Sequence, residues 1–253
     1  MIYDLQKASM MKRVAAWLFD VILTATLAVG FGLLLSVLLG YDAHNDKMEA
    51  AFAGYETEYG VVFDVTQEEY LAMTEAQQKN YEEAYAALTS DQEFLYEYNM
   101  TVNLSLMITS LGILLAMLAW EFVLPLVFGN GQTLGKKIFG LCLIRNDGVR
   151  VNTMQLFTRT LLGKFTIETM IPVYVLLMIF WNAMGIAGTI LLAALFVGQL
   201  ICLCATRTNS ALHDLLAGTV VADITSQMIF RSTEELVEFQ KQVAAERAAR
   251  QTY

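Results

Sequence analysis

The chain has 253 residues, of which 56% are hydrophobic and only 16% are charged, and its formal net charge is −9. A soluble domain carries about 25% charged residues, so this composition is typical of a membrane protein. With two prolines and 16 glycines, the chain is neither collagen-like nor a proline-rich linker.

Four apolar stretches can each supply a helix that crosses a bilayer, which takes about 20 residues. The first is Val14–Leu39 and the second is Thr101–Phe128. The run from 165 to 206 is too long for one span, and Asn182–Gly188 divides it. We therefore predict an all-α integral membrane protein with four transmembrane helices, the third and fourth at Phe165–Trp181 and Ile186–Ala205.

The positions of Lys and Arg orient these spans. Of the 16 basic residues, 14 precede the first span, lie between the second and third, or follow the fourth. Cytoplasmic loops carry an excess of Lys and Arg, so we predict a multi-pass protein of a bacterial inner membrane with both termini cytoplasmic. The predicted segments are the N-terminus with the first span (1–40), an extracytoplasmic insertion (41–100), the second span (101–128), a cytoplasmic loop (129–164), the third and fourth spans (165–205) and a cytoplasmic tail (206–253).

The insertion 41–100 is strongly acidic, with 14 acidic residues against two basic ones. Thr66–Glu69 has the spacing of a capping box, which starts a helix. Further helices are expected from about Glu75 to Leu88 and from about Asp91 into the second span. The segment lacks cysteine, so a disulfide framework is not expected. Its acidity suits a surface that attracts cations or docks a partner, or a domain that is merely solvated.

The cytoplasmic loop is rich in glycine and predicts a small β-hairpin at the cytoplasmic face. Ile138–Ile144 and Val149–Val151 flank the turn signal Asn146–Gly148, and Thr219–Ile224 is a candidate third strand. The glycines at 129–135 do not have P-loop spacing, so no nucleotide is expected.

The cytoplasmic tail is predicted to form an amphipathic helix. Ser232–Glu235 has capping-box spacing. The stripe formed by Leu236, Phe239 and Val243 is expected to pack on the protein's own surface.

Charged residues within the spans are the candidate functional residues, because each costs about 2.5–3.5 kcal/mol at the centre of a membrane helix. Arg13 and Asp20 lie seven residues apart, on one helical face. Asp20 and Glu121 are expected at similar depth in the inner leaflet, with Glu168 entering from the same side. These acids either form a cation or proton site or are ion-pair partners for Arg13, Arg159, Lys164 and Arg207.

No pattern in the sequence indicates enzyme chemistry. There is no His-x-x-x-His pair and no Gly-x-Ser-x-Gly elbow. We therefore predict no catalytic residue, no metal site and no cofactor. The basic residues are explained by topology, so no nucleic-acid partner is expected.

Several segments resemble the RDD family of membrane proteins, which is named for one arginine and two aspartates. Lys12–Asp20 resembles its opening, Gly131–Gly148 its central loop, Arg159–Leu162 the stretch that follows, and His213–Val221 its closing segment. The resemblance implies that Asp214 is the second aspartate. It also implies a loose link to transport, with sodium/proton exchange proposed for some members. The insertion is not part of the family pattern.

Two functional hypotheses follow. In the first, Asp20 and Glu121 exchange sodium and protons, Arg13 competes as an internal cation, and Asp214 receives the ion at the inner mouth. In the second, the protein is a scaffold or assembly partner whose charges are structural. Transport predicts that Asp20 and Glu121 line a wet cavity open to one side, and the scaffold predicts that Arg or Lys pairs both carboxylates off in a dry interface. Because a four-helix chain is small for a transporter, we expect a homo-oligomer under either hypothesis. The candidate supporting residues are Glu168, Arg159, Lys136, Gln132 and Thr133.

Overall fold

A computed structural model describes residues 5–181, 186–206 and 208–251 as a predominantly helical chain. The α-helices are α1 Met10–Leu39, α2 Tyr41–Tyr59, α3 Gln67–Ala72, α4 Glu75–Ser90, α5 Gln92–Met117, α6 Leu124–Phe128, α7 Leu134–Ile138, α8 Thr153–Phe157, α9 Ile171–Trp181, α10 Ile186–Ala205, α11 Leu212–Ala217 and α12 Thr233–Gln251. Two π-helical segments, π1 Leu118–Val123 and π2 Thr158–Glu168, and two strands, β1 Leu141–Arg145 and β2 Thr219–Asp223, complete the fold. One compact unit comprises 1–31 with 112–253, and the other comprises 32–111.

Two helices are long and apolar enough to cross a membrane. They are α1 and the continuous helix Gln92–Phe128, which comprises α5, π1 and α6. No residue of the most apolar 18-residue window of α1 is buried within the protein. An exposed apolar surface of that length needs lipid around it, because burial of apolar surface away from water drives folding.

The third predicted span, Phe165–Trp181, is not a single helix. Its first residues belong to π2, and the chain then breaks at Met170, which adopts a left-handed φ of 55°. The helix α9 begins after that break and has 11 described residues. The fourth predicted helix, Ile186–Ala205, is confirmed as α10. The predicted divider between them falls partly on residues 182–185, which lie outside the described residues.

The unit 32–111 confirms the predicted helices of the insertion. Thr66 and Thr74 each form a reciprocal capping box, at the starts of α3 and α4. The helix α5 begins at Gln92 and continues into the second apolar stretch, as expected. The helix α2 was not predicted. Aromatic side chains form the core of this unit, with edge-to-face contacts among Phe52, Phe63, Phe94 and Tyr81.

The small sheet is not the predicted hairpin. The predicted turn is present, since the Gly148 amide donates to the Arg145 carbonyl. However, the strand expected after the turn forms only isolated bridges, of Arg150 with Ile144 and of Val149 with Phe230. Instead β1 pairs antiparallel with β2 along its whole length, from Leu141 opposite Asp223 to Arg145 opposite Thr219. The segment after the turn diverges because the Arg150 amide donates to the Phe230 carbonyl at 2.9 Å.

The tail helix α12 packs on other residues of its own unit, which is formed by 1–31 and 112–253. Leu236 joins Val149 and Phe230 in a buried cluster, and Phe239 packs against it. The prediction that this stripe covers the protein's own surface is therefore confirmed for Leu236 and Phe239. Ser232 accepts from the Glu235 amide, but the Glu235 carboxylate accepts from the Arg231 amide, so the predicted capping box is only half formed.

Candidate functional site

The predicted charged residues converge in the unit formed by 1–31 and 112–253. The helix α1 supplies Arg13 and Asp20, π1 supplies Glu121, and α11 supplies Asp214. The loop before α7 supplies Thr133, α7 supplies Lys136, and π2 supplies Arg159, Lys164 and Glu168. We call this set, together with His213, the charge cluster.

Asp20 is the carboxylate at one end of the charge cluster and is only 3% exposed. Its Oδ1 accepts from the Trp120 indole at 2.9 Å and from the Gly135 amide at 2.9 Å. Its Oδ2 accepts a very short hydrogen bond from the Thr133 hydroxyl. Within the described part of the chain Asp20 forms no salt bridge, so neutral donors hold its charge.

Lys136 links Asp20 to Glu121. Its Nζ lies 3.2 Å from the Thr133 hydroxyl and 3.8 Å from Glu121 Oε2. Burial lowers the pKa of Lys136 to about 8, although the nearby Glu121 carboxylate opposes this shift. The proton of Lys136 is therefore held less tightly than that of an exposed lysine.

Glu121 is the centre of the charge cluster and binds three cations. Lys164 Nζ makes a very short ion pair with Oε1, Arg159 Nη1 lies 3.4 Å from Oε2, and Lys136 lies on the same oxygen. The Glu121 side chain is 9% exposed. A carboxylate so enclosed is stable only when it is paired.

Asp214 is held between two arginines. Its Oδ1 accepts from Arg159 Nε at 2.9 Å and from the Thr219 hydroxyl at 3.2 Å. Arg13 Nη2 lies 3.6 Å from its Oδ2, and Arg13 also donates to the Thr208 carbonyl. Burial opposes the charge of Asp214, but the Arg159 and Arg13 cations outweigh it and hold the pKa of Asp214 well below its usual value.

His213 joins Arg159 to Glu168. Arg159 Nη2 can only donate, so His213 Nε2, 2.9 Å away, accepts. Nδ1 of His213 then carries the proton and donates to Glu168 Oε1 at 2.7 Å. Burial and the Arg159 charge lower the pKa of His213, which agrees with a neutral ring.

The π-helical geometry of π2 brings Arg159 and Lys164 to one carboxylate. These residues are five apart, and in an α-helix residues with that spacing lie about 140° apart around the axis. The wider π turn bonds residue i to i+5 and so brings the two side chains towards the same face. The Thr169 amide donates to the Lys164 carbonyl five residues earlier, at 3.1 Å.

Two glycines permit the close packing of these elements. A Cβ on Gly135 would lie 2.8 Å from Asp20 Cγ and closer still to the Ala16 carbonyl oxygen. A Cβ on Gly163 would lie 2.6 Å from His213 Cβ. Both approaches are shorter than real Cβ contacts, so a larger residue would force α1 or α11 away.

Most of the predicted site residues belong to the charge cluster, but Gln132 does not. Its amide donates to the Leu141 carbonyl at 2.7 Å and fastens the loop to β1. Arg207, a predicted ion-pair partner, lies outside the described residues. Trp120 and His213 were not among the predicted site residues, and Lys164 was considered only as an ion-pair partner. Lys164 is five residues from Arg159, and this spacing indicates that the two side chains are close only if the segment is known to be a π-helix.

The charge cluster is balanced in charge. Its four carboxylates, Asp20, Glu121, Glu168 and Asp214, face four cations, Arg13, Lys136, Arg159 and Lys164. Among the residues that the structure describes, no group of three His, Cys, Asp or Glu side chains is placed to hold a metal ion. What the geometry provides is a continuous set of ion pairs and hydrogen bonds that joins α1, π1, α7, π2 and α11.

Apolar helices suited to lipid and a buried, charge-balanced cluster together define a helical membrane protein. The family model of the RDD family matches residues 7–218. The chain therefore belongs to the RDD family. No curated protein and no solved structure matches it.

Proposed function

We propose that this RDD-family protein is a membrane scaffold or assembly partner in which the charge cluster fastens the helices together. The observation that carries the proposal is the state of Asp20 and Glu121, both less than a tenth exposed. Neutral donors hold Asp20, and three cations hold Glu121. Glu121 is therefore paired with cations in a buried site, as expected of a structural charge, whereas Asp20 is buried without a cation partner among the described residues.

The proposed topology has four spans in a bacterial inner membrane, with both termini cytoplasmic and the acidic insertion outside. The distribution of basic residues supports this orientation, since 14 of 16 lie in the segments placed inside. In this arrangement the charge cluster lies near the cytoplasmic leaflet. The insertion and the tail helix α12 are the surfaces left for partner proteins or for a second copy of the chain.

Reconstituted flux tests the proposal directly. The purified protein is placed in vesicles with a pH-sensitive dye inside, and sodium is added outside. We expect no protein-dependent pH change, whereas a sodium–proton ionophore added afterwards must produce one and so show that the vesicles are tight. A sodium-dependent pH change with wild type that disappears in Asp20→Asn, while the variant remains folded, would overturn the structural role.

The second candidate function is exchange of a small cation, and one observation favours it. Glu168 lines a groove on α10 together with Thr189 and Gln199. Both hydrogen bonds that His213 makes to Glu168 end on Oε1, and Oε2 has no hydrogen-bond partner among the described residues. Carboxylate, hydroxyl and amide oxygens are suitable ligands for hard cations.

The same flux assay separates the two functions by residue. If the groove carries a cation, wild type shows flux, Glu168→Gln removes it, and Glu93→Gln in the acidic insertion leaves it unchanged. If the charges are structural, Glu168→Gln changes stability and there is no flux to remove.

A further inference from the structure

The segment from α8 through π2 has an inverted amphipathic pattern. From Met154 to Glu168, the exposed side chains are all apolar: Met154 (69%), Phe157 (37%), Leu162 (45%) and Ile167 (38%). The charged residues of the same stretch, Arg159, Lys164 and Glu168, all pair with the charge cluster. Phe157, Leu162 and Ile167 are five apart, which in a π-helix is one stripe.

The short helix α11 repeats this pattern beside π2. Its exposed side chains are Leu215 (47%) and Leu216 (49%). Its polar residues, His213 and Asp214, point into the charge cluster. The two elements pack closely, since a Cβ on Gly163 of π2 would meet the His213 backbone.

The tail helix α12 has the opposite pattern and shows what a water-facing helix of this protein looks like. Glu234, Glu235 and Glu238 are exposed, whereas Leu236 is buried against Phe230. A helix with apolar residues inside and charges outside is the ordinary arrangement in water. The segment Met154–Glu168 and α11 reverse it.

We propose that the apolar face of these elements contacts the acyl chains of the cytoplasmic leaflet. This lipid-facing surface consists of Met154, Phe157, Leu162, Ile167, Leu215 and Leu216. The segments 154–164 and 212–217, which the positions of the basic residues place in the cytoplasm, are then membrane-embedded elements beside the spans. The inference rests on the proposed membrane topology and adds two embedded elements to it.

Three features favour lipid over a second copy of the chain. The exposed part of both elements contains no polar side chain, whereas an interface between proteins has a polar rim. The surface continues along the chain into the apolar helix α9. The charged side chains of both elements are paired on the protein side, as a segment in hydrocarbon requires.

Spin labels on the full-length protein in vesicles test the inference. Cys202 and Cys204 are replaced by Ala, and Cys142 is kept because burial raises the pKa of its thiol to about 12 and leaves it unreactive. Labels are placed at Leu162→Cys and Leu215→Cys, with Glu238→Cys as the water-facing control and Val29→Cys on α1 as the lipid-facing control. Collision rates with oxygen, which concentrates in lipid, are compared with those of a water-soluble nickel chelate.

We expect oxygen to exceed the nickel chelate severalfold at positions 162, 215 and 29, and the reverse at position 238. Nickel accessibility at 162 and 215 alone would overturn the inference and leave the topology standing, whereas nickel accessibility at 29 would overturn the topology itself. Labels at 162 and 215 that neither reagent reaches, with spin–spin broadening, would assign the surface to a second copy. Because a label can disturb folding, unlabelled wild type is also treated with an apolar carbene reagent, which must modify peptides containing Leu162 and Leu215 if the inference holds.

Discussion

At the scale of single residues, the charge cluster depends on a few carboxylates that each hold several cations. Asp214 is 1% exposed and accepts from Arg159 and Thr219, with Arg13 at 3.6 Å. Its lowered pKa means that the folded state binds its proton more weakly than the unfolded state does. The stability that this contributes is present above the unfolded pKa, about 3.9, and is lost as pH falls through the folded pKa.

Asp214→Asn should destabilise the protein by about 3–5 kcal/mol, because it removes the counter-charge of buried Arg13 and one of the two carboxylates that buried Arg159 contacts. The matched control is Asp223→Asn, whose partner Lys12 is 45% exposed and whose loss should cost about 1 kcal/mol or less. Chemical unfolding in detergent micelles measures both. Equal losses of stability in the two variants would show that the buried ion pairs of Asp214 contribute no more than the exposed pair of Asp223.

Because of Lys136, the free energy of unfolding is expected to depend on pH in the alkaline range. Burial lowers its pKa from 10.5 to about 8, with Glu121 opposing the shift. Between these values the unfolded state binds more protons than the folded state, so the stability contribution of Lys136 rises with pH. The difference in unfolding free energy between wild type and Lys136→Gln should therefore change across this window. The control is Lys137→Gln at the exposed neighbour, which removes the same charge outside the charge cluster.

The sequence was sufficient to identify most of the charge cluster but not its pairing. Asp20 and Glu121 are conspicuous because each interrupts an apolar run. Their different partners, neutral donors for one and cations for the other, follow from where α7 and π2 pack. His213 gives no signal by itself, because its role follows from an Arg159 that is 54 positions away.

At the scale of elements, local signals were predictable and long-range pairings were not. The capping boxes at Thr66 and Thr74 span four residues each, so the starts of α3 and α4 could be predicted. The partner of β1 is some 78 residues away, and the sequence favoured the nearer strand because a turn signal lay between. The two π-helices were not predicted, and π2 packs against Glu121 of π1 and His213 of α11.

Gly135→Ala should separate α7 from α1. The added Cβ would lie 2.8 Å from Asp20 Cγ and would press on the Ala16 carbonyl, so we expect a loss of about 1–3 kcal/mol. The matched control is Gly30→Ala in α1, where nothing lies within 4 Å of the new Cβ. Because Ala favours a helix over Gly by about 1 kcal/mol, the control should be neutral or slightly stabilising. Thermal unfolding in detergent distinguishes them, and a tolerated Gly135→Ala would contradict the close approach.

At the scale of the whole molecule, charge is divided between the two faces of the proposed membrane arrangement. The unit 32–111 contains the acidic insertion, and most basic residues lie in the remainder of the chain. The basic residues have two roles there. Arg159 and Lys164 neutralise buried carboxylates, whereas exposed residues such as Lys12 and Arg150 lie at the surface and can orient the chain.

Reporter fusions test this orientation. Alkaline phosphatase, which is active only outside the cytoplasm, should be active when fused after Tyr70, and a fluorescent protein that matures only in the cytoplasm should be bright when fused after Tyr253. Exchanging the two reporters is the control and should silence both. Because the loop 129–164 carries six of the basic residues, changing Arg145, Arg150 and Lys137 to Gln, all outside the charge cluster, should weaken the orientation and produce a mixed population. A bright fluorescent fusion after Tyr70 in the wild-type chain would place the acidic insertion in the cytoplasm and contradict the topology.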